Sequence, residues 1–157
     1  MKNHVVLEPA GIADLSAIMP VMAAAFDSCF GEAWSEAQCA GILALPRSAL
    51  IIARIDGDVA GFGLLRCVLD EAELLLLAVA PAHQRRAIGA TLLRSVLQSA
   101  RGDKAKRIFL EVRDSNPARL FYEQSGFVRV GTRPHYYSGQ DGSRHDALTY
   151  ALQLVPA

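Results

Sequence analysis

Three features of this 157-residue chain have the residue types and spacing for chemistry: the run Gln84-Arg85-Arg86-Ala87-Ile88-Gly89-Ala90, then Glu111, then Tyr122. The run joins an apolar segment to an amphipathic one, so it puts two guanidinium groups beside the free N–H groups of a helix N-terminus. Unpaired donors and a partial charge of about +0.5 make such a terminus suit a phosphate or pyrophosphate. Neither a P-loop, which needs Gly-x-x-x-x-Gly-Lys-Ser/Thr, nor the dinucleotide pattern Gly-x-Gly-x-x-Gly is present. Glu111 and Tyr122 have the chemistry for acyl transfer from a thioester to an amine. That reaction needs a deprotonated amine and a proton for the departing thiolate. A tyrosine near pKa ~10 matches a thiol at about 8.5–10. A carboxylate can relay the amine's proton through water, the more so if burial raises its pKa. Each feature also has a structural reading. Glu111 could be a solvated strand residue paired with Arg113 or a neighbouring arginine, Tyr122 a core aromatic, and the arginine pair solvated on an ordinary strand–turn–helix.

The elements that would hold these groups follow from hydrophobic pattern. Leu74 to Val79 is continuously apolar, as in a central strand covered on both faces. Positions 89, 92, 93, 96, 97 and 100 are small or apolar, the stripe of a helix lying on a sheet. From Arg107 to Arg113 the residues alternate, with Ile108, Leu110 and Val112 on one face and Phe109, Glu111 and Arg113 on the other. Asn116-Pro117 reads as an N-cap and first-turn proline for a helix from Ala118 to Ser125 that ends at Gly126. Upstream, Val5 to Leu7 suggests a strand. Asp14 can cap a helix over Leu15, Ile18, Met19, Met22 and Phe26, which Pro20 kinks or restarts. Ser35 with Gln38 forms a capping box for a second helix. Ala49–Ile55 and Val59–Val68 read as a hairpin across Asp56-Gly57. Gly61 and Gly63 inside it read as bulge or close-packing positions. Val128–Tyr137 and Ala147–Leu154 supply a closing hairpin. The order predicts one mixed α/β sheet of about seven strands with helices on both faces.

Composition narrows the class. A content of 52% hydrophobic and 20% charged residues is that of a globular protein, expected here as one domain over residues 1–157. Formal net charge is zero, so no global basic field draws nucleic acid. Cys29, Cys39 and Cys67 show no C-x-x-C pairing, which argues against a disulfide framework or zinc site and for a reducing compartment. The four histidines, His4, His83, His135 and His145, are scattered, so no metal is expected. His83 could lie near a phosphate or on an exposed loop. The N-terminus lacks the apolar core of a signal peptide and no apolar run is of membrane-spanning length, so a cytoplasmic location is expected without a membrane partner.

The run at 84–90 resembles the acetyl-CoA signature Gln/Arg-x-x-Gly-x-Gly/Ala of the GCN5-related N-acetyltransferases, the GNAT superfamily. Gln84 and Gly89 fall in register, Ala90 follows, and Ala87 stands where that family usually has its first glycine. Four blocks are similar to the RimI type, the ribosomal-protein alanine N-acetyltransferases: Trp34-Ser35-Glu36, DEAELLLLAVAP, LEVRDSNPARLFYEQSGF and HYYSGQDGSRHDALTYAL. The resemblance implies a GNAT-like fold and acetyl-CoA as cosubstrate. It implies Glu111 as general base and Tyr122 as the acid that protonates the coenzyme A thiolate. Backbone groups at Leu77, Ala78 and Val79 would bind the acetyl-pantetheine arm. Gln84, Arg85, Arg86, Ala87, Ile88, Gly89 and Ala90 would hold the pyrophosphate, and Asn116 would touch the cofactor. Tyr136 and Tyr137 would shape the acceptor groove. Asn116 to Tyr122 spans six residues, one fewer than the family's usual spacing. The implied reaction is direct transfer to the N-terminal α-amine of a protein, such as a small-subunit ribosomal protein. A small-molecule amine or antibiotic acetyltransferase, and a non-catalytic acyl-CoA-binding regulatory module, are the alternatives.

Overall fold

Apolar residues on the inner strands build one sheet with a core on each face. The structure is a computed structural model that describes residues 4–84 and 87–155. The strands are β1 (Val5–Ala10), β2 (Ser48–Ile55), β3 (Asp58–Val68), β4 (Glu71–Val79), β5 (Arg107–Arg113), β6 (Val128–Ser138) and β7 (Arg144–Gln153). Their order across the sheet is β1-β2-β3-β4-β5-β7-β6, antiparallel at every step except β4 against β5. The expected mixed α/β architecture is therefore present. Helices α1 (Leu15–Ala25) and α2 (Glu36–Leu43) cover one face; α3 (Ile88–Gly102) and α4 (Ala118–Gln124) cover the other.

Several local signals act as the sequence suggests. Ser35 and Gln38 exchange the two hydrogen bonds of a capping box at the start of α2. Asp56 and Gly57 both take positive φ in the β2–β3 turn. Along α3 the buried residues are Ile88, Leu92, Leu93, Val96 and Ala100; of the predicted stripe, 92, 93, 96 and 100 are buried, while Gly89 and Leu97 are half-buried. Other signals are used differently. Pro20 lies within α1, whose buried side still carries Leu15, Ile18, Val21 and Met22, so packing outweighs the lost backbone bond. The Asp14 carboxylate does not cap α1; it accepts from the Gly11 N–H at 2.9 Å and closes the preceding turn. Pro117 takes the N-cap position of α4, and the Asn116 side-chain oxygen accepts from the Ala118 N–H at 2.9 Å.

Two features of β4 shape the site. First, the β3–β4 register passes from Leu64 opposite Leu76 to Leu65 opposite Leu74, leaving Leu75 as a bulge. Leu74 faces the core under α3, while Leu76 and Ala78 face the core under α1. Second, the parallel ladder to β5 covers only Glu71–Glu73 against Arg107–Phe109. Beyond it the two strands part. On the β3 side contact is close: a Cβ on Gly61 would sit 2.6 Å from the Ala78 carbonyl oxygen and 2.9 Å from Leu92 Cδ1. The glycine therefore serves close packing, as expected.

Candidate active site

Where β4 and β5 part, a cleft of about 740 Å³ opens. Leu77, Ala78 and Val79 form one wall, Ile88, Gly89 and Ala90 at the start of α3 form its end, and Asn116, Pro117, Ala118, Phe121 and Tyr122 form the far side. Each wall has a physical origin. The edge of β4 that faces β5 leaves the ladder after Glu73, so its backbone groups at 77–79 face the cleft rather than a strand partner. At the start of α3 no side chain caps the helix among the described residues, which leaves the first-turn N–H groups available to an anion. Ala87 reaches this position through a left-handed backbone, φ 59° and ψ 17°, the conformation that favours the glycine its sequence position suggests. His83 and Gln84 border the same end. The His83 Nδ1 is buried without a partner among the described residues. Arg85 and Arg86, singled out in the sequence, lie outside the described residues.

A second cavity of about 390 Å³ runs on from the first. Phe26, Glu32, Leu77, Arg113, Asn116, Ala118 and Tyr122 line both. Tyr122 is the important shared residue. It is 6% exposed, packs edge-on to Phe127 at 5.6 Å, and its hydroxyl makes no hydrogen bond among the described residues. Burial pushes its phenol above the ordinary tyrosine range, so it stays protonated. Tyr122 is thus a buried aromatic, as one sequence reading has it, and also lines both cavities.

Glu111 lies in the second cavity with Tyr136 and Tyr137. The Tyr137 hydroxyl donates to Glu111 Oε1 at 3.4 Å, and burial, then the Glu111 charge, pushes that phenol up to about 12. Arg133 Nε stands 4.0 Å from Glu111 Oε2 but is 64% exposed, so solvent screens the pair. Arg113 does not pair with Glu111. It is buried, bonds Glu32, donates to Ser115 Oγ at 2.6 Å, and lies 3.7 Å over the Phe30 ring. This contact pins the segment between α1 and α2 over the second cavity.

Sequence reasoning missed Glu73, Glu32 and Phe30, all of which line the second cavity. Glu73 lies opposite Phe109 in the β4–β5 ladder, on the face of Glu111. Burial, and then the charge of Glu111, raises its carboxyl above the ordinary range, with Arg66 opposing. A charged residue between Ala72 and Leu74 was the available signal, but the strand was expected to begin only at Leu74. Burial and the Asp103 carboxylate push the Cys67 thiol up to about 11, and burial raises Cys39, so neither is a ready nucleophile. Among the described residues no group of three or more His, Cys, Asp or Glu is placed to hold a metal, and no helix is long and apolar enough to cross a membrane.

A parting pair of parallel strands, a bulged β4 and an uncapped helix start together define a cleft for an extended, anion-bearing ligand that meets a second opening at a tyrosine. A profile of the acetyltransferase (GNAT) family matches residues 16–127, and the chain belongs to that family. It is an N-acetyltransferase, by the family and by its curated relatives. The [ribosomal protein bS18]-alanine N-acetyltransferase of Haemophilus influenzae is 35% identical over 99 residues, 63% of this chain and 68% of the relative. That of Escherichia coli K12 is 38% identical over 100 residues, 63% of this chain and 67% of the relative. The crystal structure of the ribosomal-protein-S18-alanine N-acetyltransferase from Escherichia coli superposes with a TM-score of 0.86 at 31% identity, covering 98% of this chain and 96% of that one.

Proposed function

We propose that this protein transfers an acetyl group from acetyl-CoA to the N-terminal α-amine of a peptide, that of a small-subunit ribosomal protein beginning with alanine, in the cytoplasm. The observation that carries the reading is the meeting of two cavities at Tyr122, one suited to a thioester arm and one to an amine. The resemblance to the bS18-alanine acetyltransferases supports the acceptor. The larger cleft fits acetyl-CoA in kind: its β4 wall offers backbone groups to an amide-rich arm, and the α3 terminus suits a pyrophosphate.

In this reading an α-ammonium enters beside Glu111, which takes one proton, directly or through water. The neutral nitrogen attacks the thioester carbonyl, forming the C–N bond, and the C–S bond breaks. Tyr122 gives its proton to the departing sulfur and is restored by the second proton of the nitrogen, so one proton is released overall. A phenol raised by burial suits this step, because the same low polarity raises the proton affinity of the thiolate. Amine chemistry favours the acceptor. An α-amine near pKa 8 needs about 2.4 units less deprotonation than a lysine at about 10.4, worth roughly 3.3 kcal/mol.

The test is kcat/KM with acetyl-CoA against a panel of Ala-starting peptides, free lysine, spermidine and aminoglycosides. The peptides should win. Preference for a small amine would overturn the acceptor. Tyr122→Phe should lower kcat by roughly 10²–10⁴-fold with little change in acetyl-CoA affinity, and Glu111→Gln should lose less at high pH. Near-wild-type turnover in both would remove the acid and base roles.

A further inference from the structure

The closing hairpin carries a defect that regular pairing does not explain. The β6–β7 register runs Arg133 opposite Ala147 and then Tyr137 opposite His145, so Pro134, His135 and Tyr136 together face the single Asp146. This arch contains a left-handed non-glycine residue, His135 at φ 56°, a conformation disfavoured for any residue with a Cβ. The His135 N–H donates to Asp146 Oδ1 at 2.9 Å across the arch, and the Arg133 guanidinium lies 5.4 Å over the Tyr136 ring. The Asp146 backbone is fixed in turn, since its carbonyl accepts from the Asp114 N–H at 2.9 Å. What the arch carries faces the second cavity. Tyr136 and Tyr137 meet edge-to-face at 5.3 Å, and the Tyr137 hydroxyl reaches Glu111. Next to Asp146, His145 Nδ1 stands 3.0 Å from Asp114 Oδ1 and its ring meets Phe30, the aromatic that Arg113 covers. Asp146 thus lies behind the tyrosine pair, and its neighbour His145 meets the segment that roofs the cavity.

We infer that Asp146 is a positioning residue for acceptor binding: its carboxylate clamps the 134–136 arch and thereby sets Tyr136 and Tyr137 beside Glu111. The inference rests on the second cavity being the acceptor site. A charged acceptor of a backbone N–H stabilises its partner more than a neutral one, and removing it leaves a strained turn without the hydrogen bond that closes it. The arch then samples other conformations, and an acceptor must select the competent one. Its apparent affinity falls while the chemistry after binding is unchanged. The cofactor cleft shares no residue with the arch, so acetyl-CoA binding is untouched.

The experiment compares Asp146→Ala and Asp146→Asn with wild type, using whichever amine the wild type turns over best, so that a wrong acceptor above leaves this test intact. Asp146→Ala should raise acceptor KM about tenfold or more, the effect of a lost charge-assisted bond, with kcat and acetyl-CoA KM close to wild type. Asp146→Asn, whose amide oxygen can still accept, should recover most of the loss. Hydrogen exchange supplies a readout that needs no activity. The His135 amide should be protected in wild type and Asp146→Asn and exchange freely in Asp146→Ala. Should Asp146→Ala not fold, Asp146→Ser gives the same comparison with a shorter acceptor out of reach. An unchanged acceptor KM, an equal rise in acetyl-CoA KM, or a His135 amide that stays protected without the carboxylate would each overturn the assignment.

Discussion

Ala87 offers a perturbation whose sign follows from one backbone angle. At φ 59° and ψ 17° it holds a left-handed conformation at the N-cap of α3, exposed at the mouth of the larger cleft. An L-residue pays roughly 1–2 kcal/mol for that conformation. Glycine adopts it without strain but gives up about 0.4–1 kcal/mol through the greater freedom of its unfolded chain. Glycine is also the better N-cap of the two. Ala87→Gly should therefore be net stabilising by about 0.5–1 kcal/mol. A chain of this length gains roughly 2–4 °C per kcal/mol, so the melting temperature should rise by about 1–4 °C. The control is Arg94→Gly, an exposed position inside α3 with ordinary helical backbone. There glycine should cost close to 1 kcal/mol and lower the melting temperature by about 2–4 °C. Thermal unfolding by circular dichroism, with and without acetyl-CoA, reads both. The carbonyl of residue 87, which accepts from the Thr91 N–H and hydroxyl, is kept in the variant. Removing the methyl from the cleft wall should leave acetyl-CoA KM equal or lower. A melting temperature that falls as far as in Arg94→Gly would refute the strain argument.

Other perturbations probe the β4 strand. Glu73 is destabilised in its charged form, so its folded-state proton affinity exceeds the unfolded one and its cost to stability grows as pH rises above about 4.5. Glu73→Gln should therefore melt with wild type near pH 4 and above it at pH 7; a gap that does not open with pH would mean Arg66 offsets the burial in full. Gly61→Ala forces a Cβ to within 2.6 Å of the Ala78 carbonyl oxygen. Overpacking of this kind costs typically 1–3 kcal/mol, and since Ala78 also lines the cofactor cleft, a variant of unchanged melting temperature and acetyl-CoA KM would show the strands free to part.

The elements of the fold were legible because they rest on local periodicity. Ile108, Leu110 and Val112 alternate in sequence and are all buried in the structure, and the α3 stripe is equally regular. The sheet order was not legible, since nothing in the β7 residues states that they insert between β5 and β6. The bulge at Leu75 was hidden for a related reason. In a run of four leucines a shift of face leaves no trace in composition, because both faces of the strand are buried. Of the groups lining the two cavities, Tyr122, Glu111 and the start of α3 were readable from residue type together with position in an element. Glu32 and Phe30 were not, because each is placed by a partner distant in sequence: Arg113 and His145 respectively.

The short spacing from Asn116 to Tyr122 shows how a departure in sequence is absorbed in three dimensions. Losing one residue from a helix would turn every later side chain by about 100°, enough to move a tyrosine out of its cleft. The start of α4 has the geometry to take up such a change. Pro117 takes the N-cap with a φ of −63°, which needs no N–H partner and already suits helical entry. The Asn116 side-chain oxygen then satisfies the Ala118 N–H, one of the donors that the first turn exposes. The helix that follows is only seven residues long, ended by the positive-φ Gly126, so there is little length over which a rotation could accumulate. Tyr122 keeps its place against Phe127, and both Asn116 and Tyr122 line the two cavities. The consequence for Asn116 is specific. With its oxygen engaged inside the turn, its amide nitrogen is the group left to donate, so we propose that Asn116 would meet a thioester arm as a donor to a carbonyl.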